Sequence, residues 1–243
     1  MESWIILGAT SGMARPLLRK LAANGAALYL AGRNATALAE LAEDCRLRGA
    51  RAVHALPFDT RDHSNYAALI AQFTQEDGTL NAAVFTGTMP EQSQIDADPA
   101  LIEGVMADSY TGPATFLQQL LPHMEARGTG TIVGIGSVAG DRGRLGNYCY
   151  GAAKAAFATY LSGLRNRAGR KGVHVLTVKP GPVDTPMTYG MKMPFMTSPE
   201  AVANDILKAV RKRRNTLYTA PIWRVLMTVI RLIPEPVFKK MSF

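Results

Sequence analysis

Short apolar runs alternate along this chain with longer stretches of helical periodicity. Residues 4–7, 27–31, 52–56, 82–85, 130–135, 174–178 and 216–218 read as strands. Between them, residues 12–24, 35–48, 63–76, 100–126, 148–170 and 199–212 place apolar side chains at helical spacing. The strands lack a strict in–out alternation, which marks them as covered on both faces, and each is followed by a helix. That combination predicts an α/β fold of the Rossmann-type, doubly wound kind: a seven-stranded, mostly parallel sheet with helices on both faces. Right-handed crossovers then put a ligand crevice at the carboxyl ends of the strands. Residues 1–220 fit one domain. Residues 221–243 leave the alternation and read as a short C-terminal, amphipathic helical extension of that domain.

Composition narrows the class further. With 243 residues, 47% hydrophobic and 19% charged, the chain can bury a full core and is not of the disordered type. No run approaches the ~18 uninterrupted apolar residues of a spanning helix. The start, Met1-Glu2-Ser3-Trp4, is acidic and its apolar run is too short for a secretory leader. Cys45 and Cys149 have no metal spacing, and His54, His63, His123 and His174 are scattered. A cytoplasmic protein with no metal site is the expectation. The net charge of +8 is uneven: residues 205–243 carry nine basic and two acidic side chains, so +7 of it sits in the tail. A nucleic-acid partner is not expected, because the basic block has no interleaved aromatics.

The first strand runs into Gly8-Ala9-Thr10-Ser11-Gly12-Met13-Ala14 and then a helix. Glycine at 8 permits a tight turn, and Gly12 lets backbone approach a pyrophosphate at the helix N-terminus. Gly8, Thr10, Ser11, Gly12 and Met13 are therefore candidate cofactor-binding residues. The second strand ends Gly32-Arg33-Asn34, where an NAD-selective fold carries an acid. A guanidinium there matches the 2′-phosphate of NADP, so Arg33 and Asn34 point to NADP(H) rather than NAD.

Ser137 closes the fifth strand, and Tyr150 and Lys154 lie four apart on the helix that follows. A phenol of pKa ~10 carries protons poorly at neutral pH, and an adjacent ammonium brings it toward working range. A hydroxyl beside it can hold a carbonyl oxygen as charge develops. Tyr148 has only Ala152 at the matching position and lacks this partner.

This ordered set resembles the short-chain dehydrogenases/reductases over residues 4–220. The matching features are Gly8-x3-Gly12, Asp59-Thr60, Gly87, Ser137, Tyr150-x3-Lys154 and Pro180-Gly181-Pro182-Val183-Asp184-Thr185. The resemblance implies that Tyr150 is the general acid of carbonyl reduction and that Ser137 orients the carbonyl. Lys154 would lower the tyrosine pKa and hold the nicotinamide ribose. Asp59 would bond the adenine amino group with Thr60 beside it. Val183 and Thr185 would contact the carboxamide, with Pro180 and Gly181 in the same cofactor-binding run. Two positions depart from the family pattern. Phe85-Thr86-Gly87 stands for Asn-Ala-Gly, and the helix asparagine that supports a proton path to the lysine falls on Ser109. The family also implies a homodimer or homotetramer.

Downstream, residues 186–196 hold Met187, Met191, Met193 and Met196, an adaptable apolar lid for a bulky substrate or an ordinary contact with the body. Arg142 and Arg144 flank the same mouth and suit an anionic substrate group or solvent. Residues 208–243 combine cations with an apolar helix suited to the inner membrane surface or to packing against protein. That tail and the Ala139–Arg144 stretch resemble the subgroup of decaprenyl-phospho-keto-pentose 2-reductases and other envelope-polysaccharide enzymes. A lipid-linked keto-sugar is the substrate this implies. The alternatives are a 3-oxoacyl thioester or small-ketone reductase, and a catalytically silent NADP-sensing or scaffold protein.

Overall fold

In β1 (Glu2–Leu7), Trp4 and Ile6 enter one apolar core while Ile5 and Leu7 enter another. This follows from the pleat, which turns successive side chains to opposite faces. The same division runs through β2 (Ala27–Gly32), β3 (Ala52–Pro57), β4 (Thr79–Val84), β5 (Thr131–Ile135) and β6 (His174–Pro180), while β7 (Thr216–Thr219) gives Leu217 to the first core and Tyr218 to the cluster under the tail. The computed structural model describes residues 1–190 and 193–242. Its seven strands form one sheet in the order β3-β2-β1-β4-β5-β6-β7, with every pairing parallel. The expected sheet is therefore present and is parallel throughout, not merely mostly so.

Helices α1 (Ala14–Ala23), α2 (Ala35–Leu47) and α8 (Pro199–Arg211) cover one face through Leu17, Leu38, Leu41, Val202 and Ile206. On the other face lie α3 (Tyr66–Phe73), α6 (Gly112–Arg127) and α7 (Tyr148–Gly169), which bury Tyr66, Phe73, Phe116, Phe157 and Leu161. Strand order reverses between β1 and β4, opening a crevice at their carboxyl ends.

The helix expected over 63–76 is confined to Tyr66–Phe73, and three larger departures each have a local reason. β4 starts at Thr79 rather than 82, because the buried Asn81 is satisfied inside the sheet by accepting the Thr131 amide at 2.9 Å. A short α4 (Gln92–Ala97) forms on a reciprocal cap between Glu91 and Gln94. The helix expected over 100–126 is interrupted: α5 (Leu101–Met106) widens into a π turn at Ala107–Thr111 before α6 begins. Pro113 has no amide hydrogen to continue the α ladder. At Gly112 a side chain would lie 2.2 Å from the Thr60 carbonyl oxygen, so the chain passes there only as glycine.

The tail forms α9 (Ile222–Leu232) and α10 (Glu235–Phe238). Trp223, Met227 and Ile230 are buried with Val138, in the turn that follows Ser137. At about 1.5–3 kcal/mol for each such side chain, this packing holds α9 on the body. The basic residues of the tail do not form one patch. Arg213 donates to the Gly172 carbonyl just before β6, which puts 208–214 at the amino end of the sheet. Arg224, Arg231, Lys239 and Lys240 follow β7 and lie toward the carboxyl end.

Candidate active site

The carboxyl ends of β1, β2, β4 and β5 frame a cavity of about 400 Å³. Gly8, Thr10, Ser11, Gly12 and Met13 all line it. Gly8 has φ +75°, and both its amide and that of Ala9 donate to the Ala31 carbonyl, at 2.9 and 3.1 Å. A side chain at Gly8 would also press on the Phe85–Thr86 backbone at 3.1 Å. The turn therefore folds back over two strands, and within it the Ser11 amide donates to the Gly8 carbonyl at 3.0 Å.

Arg33 and Asn34 line the far end of the cavity. Arg33 is exposed and makes no ion pair among the described residues, so its guanidinium is available to an anion. The Asn34 side-chain oxygen accepts the Ala37 amide at 3.0 Å and caps α2, so that oxygen is already engaged. Thr60 lines the cavity, but Asp59 is not among the lining residues. The Asp59 carboxylate instead accepts the Arg61 amide at 2.9 Å.

Tyr150 and Lys154 enter the cavity from one face of α7. Burial pushes the Tyr150 phenol up to about 12, with the Ser137 hydroxyl acting in the opposite direction. Burial also pulls the Lys154 ammonium down to about 8. The lysine Nζ donates to the carbonyls of Thr86 and Ile135, both at 3.1 Å, which leaves one N–H for the cavity. Desolvation is the larger of the two influences on the phenol. The result is a neutral phenol, the form that donates a proton. Ser137 accepts the Ala139 amide at 3.0 Å, so its own O–H proton is free to be donated.

Gly87, with φ +145°, brings backbone against this group. A side chain there would fall 2.9 Å from Lys154 Nζ and 3.0 Å from Ser109 Oγ. Ser109 lies in the π turn, fully buried, and its hydroxyl has no hydrogen-bond partner. The structure thus brings Ser109, Gly87 and Lys154 together. Thr185 also lines the cavity and meets Gly12 across it. Pro180, Gly181 and Val183 do not line it. Val183 is buried and bridges to Thr197, and its carbonyl accepts the Thr185 and Thr188 hydroxyls. At Gly181 a side chain would sit 2.1 Å from the Trp223 indole nitrogen. This glycine is a seat for the tail and not a wall of the cavity.

Arg142, expected to face substrate or solvent, does neither. It donates to the Ile230 and Ile233 carbonyls at 2.6 Å, pairs with Glu235 at 2.9 Å and stacks 3.6 Å from the Phe238 ring centre. Carbonyls at a helix end lack helical partners, and here this arginine supplies the donor. Arg144 is half-buried, and its Nε is without a partner. Tyr148 bonds to Asp96, away from Tyr150 and Lys154. Met187 lines the cavity and Met193 is exposed, while Met191 lies outside the described residues.

The family model for short chain dehydrogenases matches residues 2–193. The chain belongs to that family. An uncharacterized oxidoreductase of Mycobacterium tuberculosis is 34% identical over 239 residues, covering 98% of this chain and 96% of that protein. The ketoacyl reductase HetN of Nostoc is 28% identical over 221 residues, 86% of this chain and 75% of the relative. Among solved structures, a short-chain dehydrogenase from Sphingobium yanoikuyae in complex with NADPH superposes with TM-score 0.82. It is 24% identical and covers 97% of each chain, a likeness of fold. The protein is an oxidoreductase.

One feature of this short-chain dehydrogenase escaped the pattern reading. Asp108, buried and lining the cavity, accepts hydrogen bonds from Arg61 at 2.9 and 2.8 Å, Thr60 at 2.8 Å and Thr88 at 3.1 Å. Burial alone would raise its carboxyl, but the Arg61 and Thr60 bonds and the Arg61 charge outweigh that and hold it below the usual range. It ties the turn after β3 to the turn after β4. No spacing rule joins residues 60, 61, 88 and 108, which meet only when the sheet assembles. Among the described residues, no His, Cys, Asp or Glu group could hold a metal ion.

Proposed function

We propose that this oxidoreductase uses NADP(H) to interconvert a ketone and a secondary alcohol, working as a carbonyl reductase. The observation that carries the reading is the neutral, buried Tyr150 phenol beside the Ser137 hydroxyl, with Lys154 Nζ 5.8 Å from its ring centre; Tyr150 and Lys154 line the cavity, and Ser137 lies just behind its wall at Gly136. The cavity fits a dinucleotide on its own features. A glycine cradle lies at Gly8, an unpaired guanidinium at Arg33 at one end, and the catalytic group at the other. Residues 8–13 would hold the pyrophosphate, Arg33 the 2′-phosphate, and Lys154 with Thr185 the nicotinamide end. When bound, the cofactor supplies the hydride. Ser137 donates a hydrogen bond that fixes the carbonyl oxygen, Tyr150 gives that oxygen its proton, and Lys154 supplies positive charge beside the phenol.

For the substrate, the reading is a keto-sugar bearing an anionic or lipid-phosphate group. Arg142 is committed to the tail, whereas Arg144 in the same loop keeps a guanidinium without an ion pair among the described residues. A 3-oxoacyl thioester is the second reading, favoured by the likeness to the ketoacyl reductase. NADPH oxidation across phosphorylated keto-sugars, their neutral counterparts and 3-oxoacyl thioesters separates the two. Tyr150→Phe should abolish turnover, by about 10³-fold or more, while NADPH still quenches tryptophan fluorescence with unchanged affinity. Retained turnover in that variant would sink the mechanism.

A further inference from the structure

Helix α9 has three faces, and only one is explained by the fold. Trp223, Met227 and Ile230 point into the body. Arg224, Thr228 and Arg231 make a polar strip along one side. The third face is apolar and open: Ile222 is 42% exposed, Val225 61%, Val229 56% and Leu232 77%. These four lie at helical spacing on one stripe. Val237 and Met241, just beyond, extend the open apolar surface. Arg224, Arg231, Lys239 and Lys240 border it, and none makes an ion pair among the described residues. The acid of this segment, Glu235, is already engaged by Arg142.

We infer that this face is a docking surface for an anionic phospholipid bilayer, with α9 lying in the plane of the headgroups. An apolar stripe edged by unpaired cations is the pattern of an interfacial helix. Charge complementarity selects that occupant over a second copy of the chain. An isologous pairing would set the same four cations on both sides of the contact, with no free carboxylate to meet them. The stripe is also short, since an 11-residue helix is ~16 Å long, against about 800 Å² per partner in a stable dimer. Crossing the membrane is not at issue, because no helix of the described residues is long and apolar enough for that.

The consequence for the site is positional. The buried face of α9 rests on Val138, one residue after Ser137, and Trp223 rests on Gly181. Docking would therefore hold the substrate mouth next to the lipid surface. The basic residues 208–214, at the other end of the sheet, take no part. The inference rests on the surface alone and stands or falls apart from the reading of the substrate.

The test is co-sedimentation of the full chain with vesicles of phosphatidylcholine alone or with one third phosphatidylglycerol. Binding is expected only to the anionic vesicles and should weaken with salt. Each interfacial cation adds about fivefold to partitioning, so Arg224→Glu with Arg231→Glu should cost at least ~25-fold. Val225→Glu with Val229→Glu should abolish binding while leaving the melting temperature and the reduction of a small soluble ketone unchanged. Reversing Lys208 and Arg211 to Glu should leave binding intact. The proposal is overturned by failure to bind the anionic vesicles or by binding that survives the valine substitutions. It is equally overturned by a dimer in sedimentation analysis that those substitutions dissociate.

Discussion

Two ionisable side chains four residues apart are moved in opposite directions by the same cause. Burial raises the Tyr150 phenol to about 12 and lowers the Lys154 ammonium to about 8. Near neutral pH the phenol keeps its proton and the lysine its charge, the pair of states that carbonyl reduction requires. As pH rises through about 8 the ammonium is lost, while the phenol is still protonated. The rate of ketone reduction, as kcat/KM, should accordingly be level from about pH 6 to about 8 and then fall roughly tenfold per unit. Lys154→Met should give a low rate without that break. A break surviving in the variant would assign the titration elsewhere. Ser109 belongs to the same scale. Its unpartnered hydroxyl and Lys154 Nζ both border the space where a side chain on Gly87 would lie, which sets a buried hydroxyl close to the lysine.

At the scale of elements, Arg142 is the link between the catalytic loop and the tail. It lies between the turn after Ser137 and α7, yet its hydrogen bonds end α9 and its plane covers Phe238. Arg142→Ala would leave two carbonyls of a half-buried helix end without this donor. The expected cost is about 1–3 kcal/mol, seen as a melting temperature lower by about 2–4 °C for each kcal/mol. An unchanged melting temperature would mean that the exposed Glu235 contact is the whole of its role, since such pairs are worth little. This link also marks what could be read in the chain beforehand. Strands with continuous apolar runs, the Gly8 turn and the Tyr150–Lys154 spacing are local patterns, and the fold keeps them. The π turn depends on the Thr60 carbonyl passing Gly112, and the Gly181 seat on an indole 42 residues away. Arg142 and Asp108 have partners far along the chain, which no local period encodes. For the same reason Asp59 and Thr60, adjacent in sequence, divide between a turn cap and the cavity wall.

For the whole molecule, a few carboxylates tie separate strands together. Glu76 accepts from Ser3 at 3.1 Å, Tyr29 at 3.0 Å and Arg51 at 2.7 Å, joining β1, β2 and the approach to β3, as Asp108 joins the turns at the other end of the sheet. Burial works against both charges, but bonds from Arg51, Tyr29 and Ser3 in one case and from Arg61 and Thr60 in the other hold both below their usual values. Groups lowered in the folded state contribute stability that is complete above their unfolded pKa and is lost as pH falls through the folded one. The melting temperature should thus be level above about pH 5 and drop below about pH 4, with a shallower drop in Asp108→Asn. A drop of equal steepness in that variant would remove Asp108 from the account. The strand order carries a separate consequence, for synthesis. β1 pairs with β4 from Glu2↔Thr79 to Leu7↔Val84, so one edge of β1 has no partner until residue 84 has left the ribosome. At about 5–20 residues per second that is an interval of several seconds, during which Trp4, Ile5, Ile6 and Leu7 present an apolar edge to any other nascent chain. The crevice that organises the finished molecule is also the last place where its first half can be completed.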